Sequence, residues 1–112
     1  MSIDNDNVID IINLEPDGKT VTLTVSDHLD WSQSDEHQRI LQAKLNRYLA
    51  FVDSGELPKR YPAARGLKVQ FEVMMMNRPD RAGEAFLSRA IEAFARLGFA
   101  LKSRVFAQSY DK

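Results

Sequence analysis

The segment from Thr20 to Ser26 alternates strictly between a hydroxyl-bearing side chain and a branched apolar side chain. Successive side chains of a β-strand point to opposite faces of its sheet, so this alternation predicts a strand with one dry face and one polar face. Val21, Leu23 and Val25 form the dry side. The apolar face of such a sheet has to be covered by other secondary-structure elements, and this requirement constrains the rest of the fold.

Three further segments complete the predicted sheet. Residues 8–14 are apolar and β-branched, and the turn residues at 16–19 join them to residues 20–26 as a hairpin. Residues 67–75 alternate in the same way, and residues 99–107 are the last predicted strand. The alternation of the second, third and fourth strands predicts a sheet with one buried face.

Two segments have the spacing of amphipathic helices. The first runs from about Asp35 to Ser54, with apolar side chains at intervals of three and four residues. The second begins near Pro79, a residue suited to a first helical turn, and ends at Gly98. Residues 56–66 lie between the first helix and the third strand and are expected to form a loop.

The order of elements is therefore β-β-α-β-α-β, which predicts an α+β protein built as a two-layer sandwich. Right-handed crossovers make the last three strands parallel and leave the first antiparallel, giving a four-stranded mixed sheet. Strand order 1-2-3-4 is the simplest arrangement, with both helices on one face. At 112 residues the chain is expected to be a single domain, with flexible ends at residues 1–7 and 108–112.

The composition excludes several kinds of site. The chain has no cysteine, which removes disulfides, thiolate metal sites and cysteine nucleophiles. Its first residues are polar and acidic, unlike a secretory signal, and no apolar run reaches the ~20 residues of a membrane span. We therefore expect a cytoplasmic protein with no membrane partner. No phosphate-binding loop, dinucleotide fingerprint, nucleophile elbow or zinc signature is present, so no cofactor and no catalytic residue is assigned.

Charge is divided unevenly along the chain. Residues 1–56 carry eleven acidic and four basic side chains, a charge of −7, whereas residues 57–112 carry five acidic and eleven basic side chains, a charge of +6. One interpretation is two halves that fold together and partly neutralise each other. The other is a polar surface that steers a charged partner.

The densest polar cluster follows the second strand and enters the first helix. It contains the candidate binding residues Asp27, His28, Asp30, Trp31 and His37. Imidazole and carboxylate groups together could bind a metal or act as a general acid/base pair. The two histidines are nine residues apart and match no named metal motif, so no metal ligand is assigned. The simpler interpretation is structural, with aspartates bonded to loop amides and the tryptophan packed against the helix.

The two histidines are expected to differ. His37 lies on the apolar stripe of the first helix, one turn from its start, where the helix dipole disfavours a positive imidazole. We expect His37 to be neutral, partly buried and hydrogen-bonded. His28 is expected to be freer and is the better candidate for titration near neutral pH.

A run of three methionines ends the third predicted strand. If the alternation continues, Met74 and Met76 point outward, as Phe106 does on the last strand. Exposed methionines adapt well to partners, so these three residues form a candidate interface. The alternative is that the strand has already ended and that the methionines fill gaps beneath the second helix.

Nucleic acid is not expected as a partner. The whole-chain charge of −1 gives no basic footprint for nonspecific binding. Lys68, Lys102 and Arg104 could form a platform on the outward face of the sheet, but Glu72 opposes them and only Phe106 is available for base stacking.

Several short patterns of the first half occur together in one known family. They are D-H-L-x-W at residues 27–31, E-H at 36–37, L-Q-x-K-x-N-x-Y-L at 41–49 and S-G-E-L at 54–57. In this order they resemble a family of small bacterial proteins catalogued only as a domain of unknown function. The match is densest over residues 8–66. The resemblance implies a stand-alone bacterial cytosolic protein and supplies no substrate, cofactor or catalytic residue.

These observations favour a non-enzymatic protein-binding or regulatory module, expected to be a homodimer. The alternative is a small metal-assisted or acid/base hydrolase that uses Asp27, His28, Asp30 and His37, which requires the two histidine rings to converge on one cleft. A second alternative is an immunity-type inhibitor whose acidic first half neutralises a basic toxin. The sequence leaves open whether the protein is an enzyme, with the balance against it.

Overall fold

One four-stranded mixed sheet is the frame of the protein. The computed structural model describes residues 9–106. The strands are β1 (Ile11–Leu14), β2 (Thr20–Asp27), β3 (Lys68–Met75) and β4 (Ala100–Val105). They lie in the order β1-β2-β3-β4, with β1 antiparallel to β2 and the other neighbours parallel. The predicted topology is confirmed.

Three helices and a short 3-10 turn connect the strands. They are α1 (Ser34–Asp53), α2 (Glu56–Arg60), the 3-10 turn (Pro62–Ala64) and α3 (Arg81–Arg96). The long elements follow the predicted order β-β-α-β-α-β. The expected loop at residues 56–66 was wrong in part, because α2 and the 3-10 turn lie within it. Leu57 and Ala64, each 3% exposed, anchor this segment to the core.

The ends of the elements differ from the predicted ones by a few residues. α3 begins after Asp80 instead of near Pro79, because the Asp80 carboxylate accepts a hydrogen bond from the backbone N–H of Gly83 at 2.7 Å and so caps the helix. The predicted flexible ends at residues 1–7 and 108–112 lie outside the described residues. No helix within residues 9–106 is both long enough and apolar enough to cross a membrane.

The dry face of the sheet lies where the alternation places it. Leu23 of β2 and Phe71 of β3 are fully buried. Phe94 of α3 and Phe99 meet the ring of Phe71 edge-on, with centroids 5.1 and 5.3 Å away. Leu41 of α1 belongs to the same core. Both long helices therefore pack on one face of the sheet, and the predicted buried face of β2 and β3 is confirmed.

The opposite face of the sheet, called here the open face, carries hydrogen-bonded polar side chains. Thr22 and Thr24 belong to it and are nevertheless only 3% and 4% exposed. Longer side chains of β3 cover them, since Gln70 donates to Thr22 at 2.8 Å and Thr24 donates to Glu72 at 3.3 Å. Thr22 also donates to the carboxylate of the β1–β2 connection, and a β4 guanidinium donates to Glu72 at 2.6 Å. We call this set the polar layer: Glu15, Thr22, Thr24, Gln70, Glu72 and Arg104.

Candidate functional site

The polar cluster predicted after the second strand is built around one buried pair. Asp27 is the last residue of β2, and His37 lies in the first turn of α1. Asp27 Oδ2 and His37 Nε2 are 2.6 Å apart, and the two side chains are 0% and 2% exposed. The end of the strand and the start of the helix are therefore joined directly, side chain to side chain, inside the protein.

Both ring nitrogens of His37 are engaged. Nδ1 lies 3.0 Å from the backbone carbonyl of Asp30, which can only accept, so Nδ1 carries a hydrogen and donates it. Nε2 faces the buried carboxyl of Asp27, and a proton lies between these two atoms. Burial raises the pKa of Asp27, and the hydrogen bond with His37 opposes that rise only in part. His37 is buried and hydrogen-bonded as predicted, whereas its expected neutral state stays a prediction.

Trp31 is held between α1 and α3. Its ring stacks on the ring of His37, with centroids 3.7 Å apart and planes 24° from parallel. It also lies against the backbone of α3, so closely that a Cβ on Gly83 would be 2.6 Å from a ring carbon. The indole N–H donates to the backbone carbonyl of Asn77 at 3.3 Å. The predicted packing of Trp31 against the first helix is thus extended to a second helix.

The β3–α3 connection fastens the loop from the other side. Asn77 donates to the carbonyls of His28 and Leu29, at 3.4 and 3.1 Å. The hydroxyl of Ser34 donates to the Asp80 carboxylate at 3.0 Å, which ties the start of α1 to the start of α3. The sequence analysis did not predict these contacts.

Gly83 could have been identified from the sequence, because it is a glycine within the second predicted helix. A glycine inside a helix costs about 1 kcal/mol relative to alanine, so its presence there indicates a close approach of another group. The group in this case is the ring of Trp31.

A second buried polar group lies farther along α1. Lys44 Nζ is 3.3 Å from Asp10 Oδ1, and both side chains are 0% exposed. The distance is that of an ion pair, although Asp10 Oδ1 makes no hydrogen bond of good geometry among the described residues. Asp10 Oδ2 accepts from the backbone of Ser26 at 3.0 Å. Tyr48 accepts from the Asp10 backbone at 2.8 Å and donates to the carbonyl of Thr24 at 3.0 Å, and burial raises its pKa.

The predicted site residues therefore separate into two groups. Asp27, Trp31 and His37 form a buried cluster, whereas His28 and Asp30 are exposed. A cleft of about 440 Å³ lies beside the loop, lined by His28, Leu29, Asp30, Ser32, Gln33, Glu36, His37 and Ile40. Asp30 Oδ1 accepts from the backbone and the hydroxyl of Ser32, at 3.0 and 2.7 Å, and these bonds lower the pKa of its carboxyl.

This arrangement limits the chemistry of the cleft. A general base needs a nitrogen lone pair directed at its substrate, and neither nitrogen of His37 offers one. Within residues 9–106 no group of three or more histidine, cysteine, aspartate or glutamate side chains is placed to hold a metal ion. His28 is the imidazole that the cleft exposes.

The candidate interface residues lie at the carboxyl end of the sheet. Met75 is buried at 2% exposed and belongs to the core, so its neighbour Met74 points to the open face. Pairing continues past the strand ends, because the backbone of Met76 donates to the carbonyl of Asp27 and that of Phe106 donates to the carbonyl of Met75. Met76 and Phe106 are 44% and 41% exposed. We call Met74, Met76 and Phe106 the apolar end.

Fold and site together define the class of protein: a two-layer α+β protein whose first loop is fastened by a buried aspartate–histidine pair. The chain belongs to a family of unknown function (DUF6572), whose model matches residues 1–107. The match confirms the resemblance to a family of unknown function that the sequence analysis described. No curated protein and no solved structure matches the chain significantly.

Replacing Gly83 by alanine tests the contact with Trp31. Helix propensity alone would stabilise the protein by about 1 kcal/mol. We expect a net loss of about 1–3 kcal/mol in the free energy of unfolding, because the added methyl group meets the indole ring. Ser88→Ala, an exposed position of the same helix, is the control and is expected to be neutral or slightly stabilising. Denaturant unfolding followed by circular dichroism measures both, and a stabilised Gly83→Ala variant would contradict the close contact.

The pH dependence of three aspartates is a second test. The pKa of Asp27 is raised above 3.8 by burial, whereas that of Asp30 is lowered by the Ser32 hydrogen bonds and that of Asp17 by hydrogen bonds from Lys19 and Thr20. Carbon-detected NMR of the carboxyl groups should place the titration of Asp27 above the other two. A lowered pKa means stability that is present above the unfolded value and lost as pH falls, so Asp17 and Asp30 contribute to acid sensitivity. Coincident midpoints for all three would refute this assignment.

Proposed function

We propose that this protein is a non-enzymatic binding module that acts through its open face, and that its first partner is a second copy of the same chain. The observation that carries the proposal is the combination of the polar layer with the apolar end on one uncovered side of the sheet. Within residues 9–106 no helix covers this side.

The polar layer supports a protein contact because its hydrogen bonds are already made within the chain. A polar group that loses water without a replacement partner costs free energy on binding. Gln70 and Glu72 keep their intramolecular partners when water leaves, so the cost of covering them is reduced. The same bonds fix the side chains before binding, which lowers the entropy lost on association.

The apolar end supplies the attractive part of the contact. Two of its three side chains, Met76 and Phe106, are more than 40% exposed, and Ile11 on β1 adds a further exposed apolar group at 43%. Methionine and aromatic residues are enriched in protein interfaces. Burial of this surface is therefore the expected driving force.

A second copy is a suitable partner for geometrical reasons. The apolar end lies at the same end of neighbouring strands β3 and β4. A two-fold axis parallel to the strands would place the apolar end of one copy at the same end of the contact as that of the other, so that the apolar side chains are buried together. The enzymatic alternative lacks such support, because His37 has both ring nitrogens bound inside the protein.

Sedimentation equilibrium tests this proposal. We expect the wild-type chain to dimerise, and Met76→Glu and Phe106→Glu to shift it to monomer, because each would bury an unpaired carboxylate in the contact. Leu97→Glu is the matched control: Leu97 is an apolar residue that is 61% exposed at the end of α3, away from the open face. It should leave the dimer intact.

Circular dichroism separates a loss of association from a loss of folding. Met76, Phe106 and Leu97 are all exposed, so monomeric variants should keep the helical circular dichroism of the wild type. A wild-type chain that stays monomeric at the highest accessible concentration would remove the second copy as the partner, and equal weakening by Leu97→Glu would remove the open face as the contact.

A further inference from the structure

The connection between α1 and β3 carries a net positive charge. Residues 54–67 contain three basic side chains, Lys59, Arg60 and Arg65, and one acidic side chain, Glu56. We infer that this connection is a second binding surface, beyond the open face, and that it takes a carboxylate-rich segment of another protein. Its exposed basic and aromatic members are called the basic loop: Lys59, Arg60, Tyr61 and Arg65.

The backbone of the basic loop is fixed by the fold. Leu57 and Ala64 are each 3% exposed and anchor it to the core. Successive short-range hydrogen bonds hold its turns, among them those from Tyr61 to the carbonyl of Leu57 at 2.8 Å and from Leu67 to the carbonyl of Ala64 at 3.1 Å. A surface that is already ordered loses little backbone entropy when a partner binds.

The positive charge of the basic loop is not compensated locally. None of its three basic side chains lies within 4 Å of a carboxylate in the part of the chain that the structure describes, whereas Arg39, Arg96 and Arg104 each do. The backbone N–H of Lys68, the first residue of β3, donates to the carbonyl of Lys19, so Lys19 adds a further positive residue next to the connection.

The uneven charge division bears on the same point. The two halves of the chain do fold together, since β2 and β3 are neighbours. Among residues 9–106, however, each of the four ion pairs of a lysine or arginine with a carboxylate joins two residues of the same half. Asp17, an acidic side chain of the hairpin turn that precedes β2, already accepts hydrogen bonds from Lys19 and Thr20. The positive charge of the second half therefore remains available to a partner.

The side chains present favour a protein carboxylate as the ligand. Arginine forms two parallel hydrogen bonds with a carboxylate, and arginine and tyrosine are the residue types that dominate binding energy in protein interfaces. Tyr61 is 39% exposed, and its ring meets Phe51 edge-on with centroids 6.5 Å apart, so an aromatic anchor is already positioned. A track for single-stranded nucleic acid needs successive aromatic side chains, and the basic loop has one.

Fluorescence anisotropy with a labelled oligoglutamate peptide tests this inference. The full chain should bind the peptide at low ionic strength, and Arg60→Gln/Arg65→Gln should weaken the affinity by about tenfold or more through the loss of two charged contacts. The matched control is Arg78→Gln/Arg89→Gln, which changes the net charge equally at two exposed positions outside the loop. Its affinity should equal that of the wild type. Unchanged thermal melting shows that both double variants are folded.

The outcomes are distinct from those of the dimerisation experiment, because neither arginine belongs to the open face. Absence of binding by the wild type would overturn the inference. Equal loss in the two double variants would also overturn it, since charge alone would then explain the binding. Tighter binding of a single-stranded oligonucleotide than of the peptide would overturn the assigned partner and identify the surface as one for nucleic acid.

Discussion

The contact on which the rest of the structure depends is the hydrogen bond between Asp27 and His37. It joins the end of β2 to the first turn of α1 in a place that water does not reach. The ring of His37 in turn supports Trp31, and Trp31 lies against α3 at Gly83. One buried pair thus sets the position of both long helices relative to the sheet.

The same helix carries a second buried polar contact, between Lys44 and Asp10, next to the hydroxyl of Tyr48. Buried charged groups cost several kcal/mol to desolvate, and apolar replacements are often at least as stable. Such groups instead favour one position of the helix on the sheet, because a shifted helix would leave a buried polar group without its partner. Our hypothesis is that two polar contacts, at His37 and Lys44 about two turns apart, position α1 in addition to its apolar stripe. Together they exclude alternative packings of α1 on the sheet.

The topology could be predicted because it follows from local periodicity. The alternation around Leu23 and Phe71 requires one buried sheet face, and a chain with two helical segments has few ways to cover it. The site could be predicted only in part. Asp27, Trp31 and His37 are close in sequence. The partners of Trp31 are distant: Asn77, 46 residues further along, lies in the β3–α3 connection and Gly83 in the first turn of α3, and no local pattern links them to the loop.

Lys44 shows a different limit of sequence reasoning. It falls on the apolar stripe of the first helix, between Leu41 and Tyr48, and its position alone would have indicated burial. A lysine is nearly always exposed, so the residue type and the spacing point to opposite predictions at this position. The partner that makes its burial tolerable, Asp10, lies in the chain segment before β1.

The interior therefore binds most of its titratable groups to one another, and the uncommitted groups are at the surface. This is why the proposed activities are contacts made by the open face and by the basic loop, and why His37 is assigned a structural role. A surface that binds partners needs a rigid frame, and in this protein the frame is fastened at the end of β2.

The free energy of unfolding of Asp27→Ala tests this account most directly. Removing one partner of a buried pair leaves the other without compensation, and we expect a loss of about 3–5 kcal/mol in denaturant unfolding. Asp30→Ala is the control, because it keeps the backbone carbonyl that His37 uses and removes an exposed carboxylate with its hydrogen bonds to Ser32, so we expect a much smaller loss. A variant without the Asp27 carboxylate that unfolds at the same denaturant concentration as the wild type would contradict the central role of the pair.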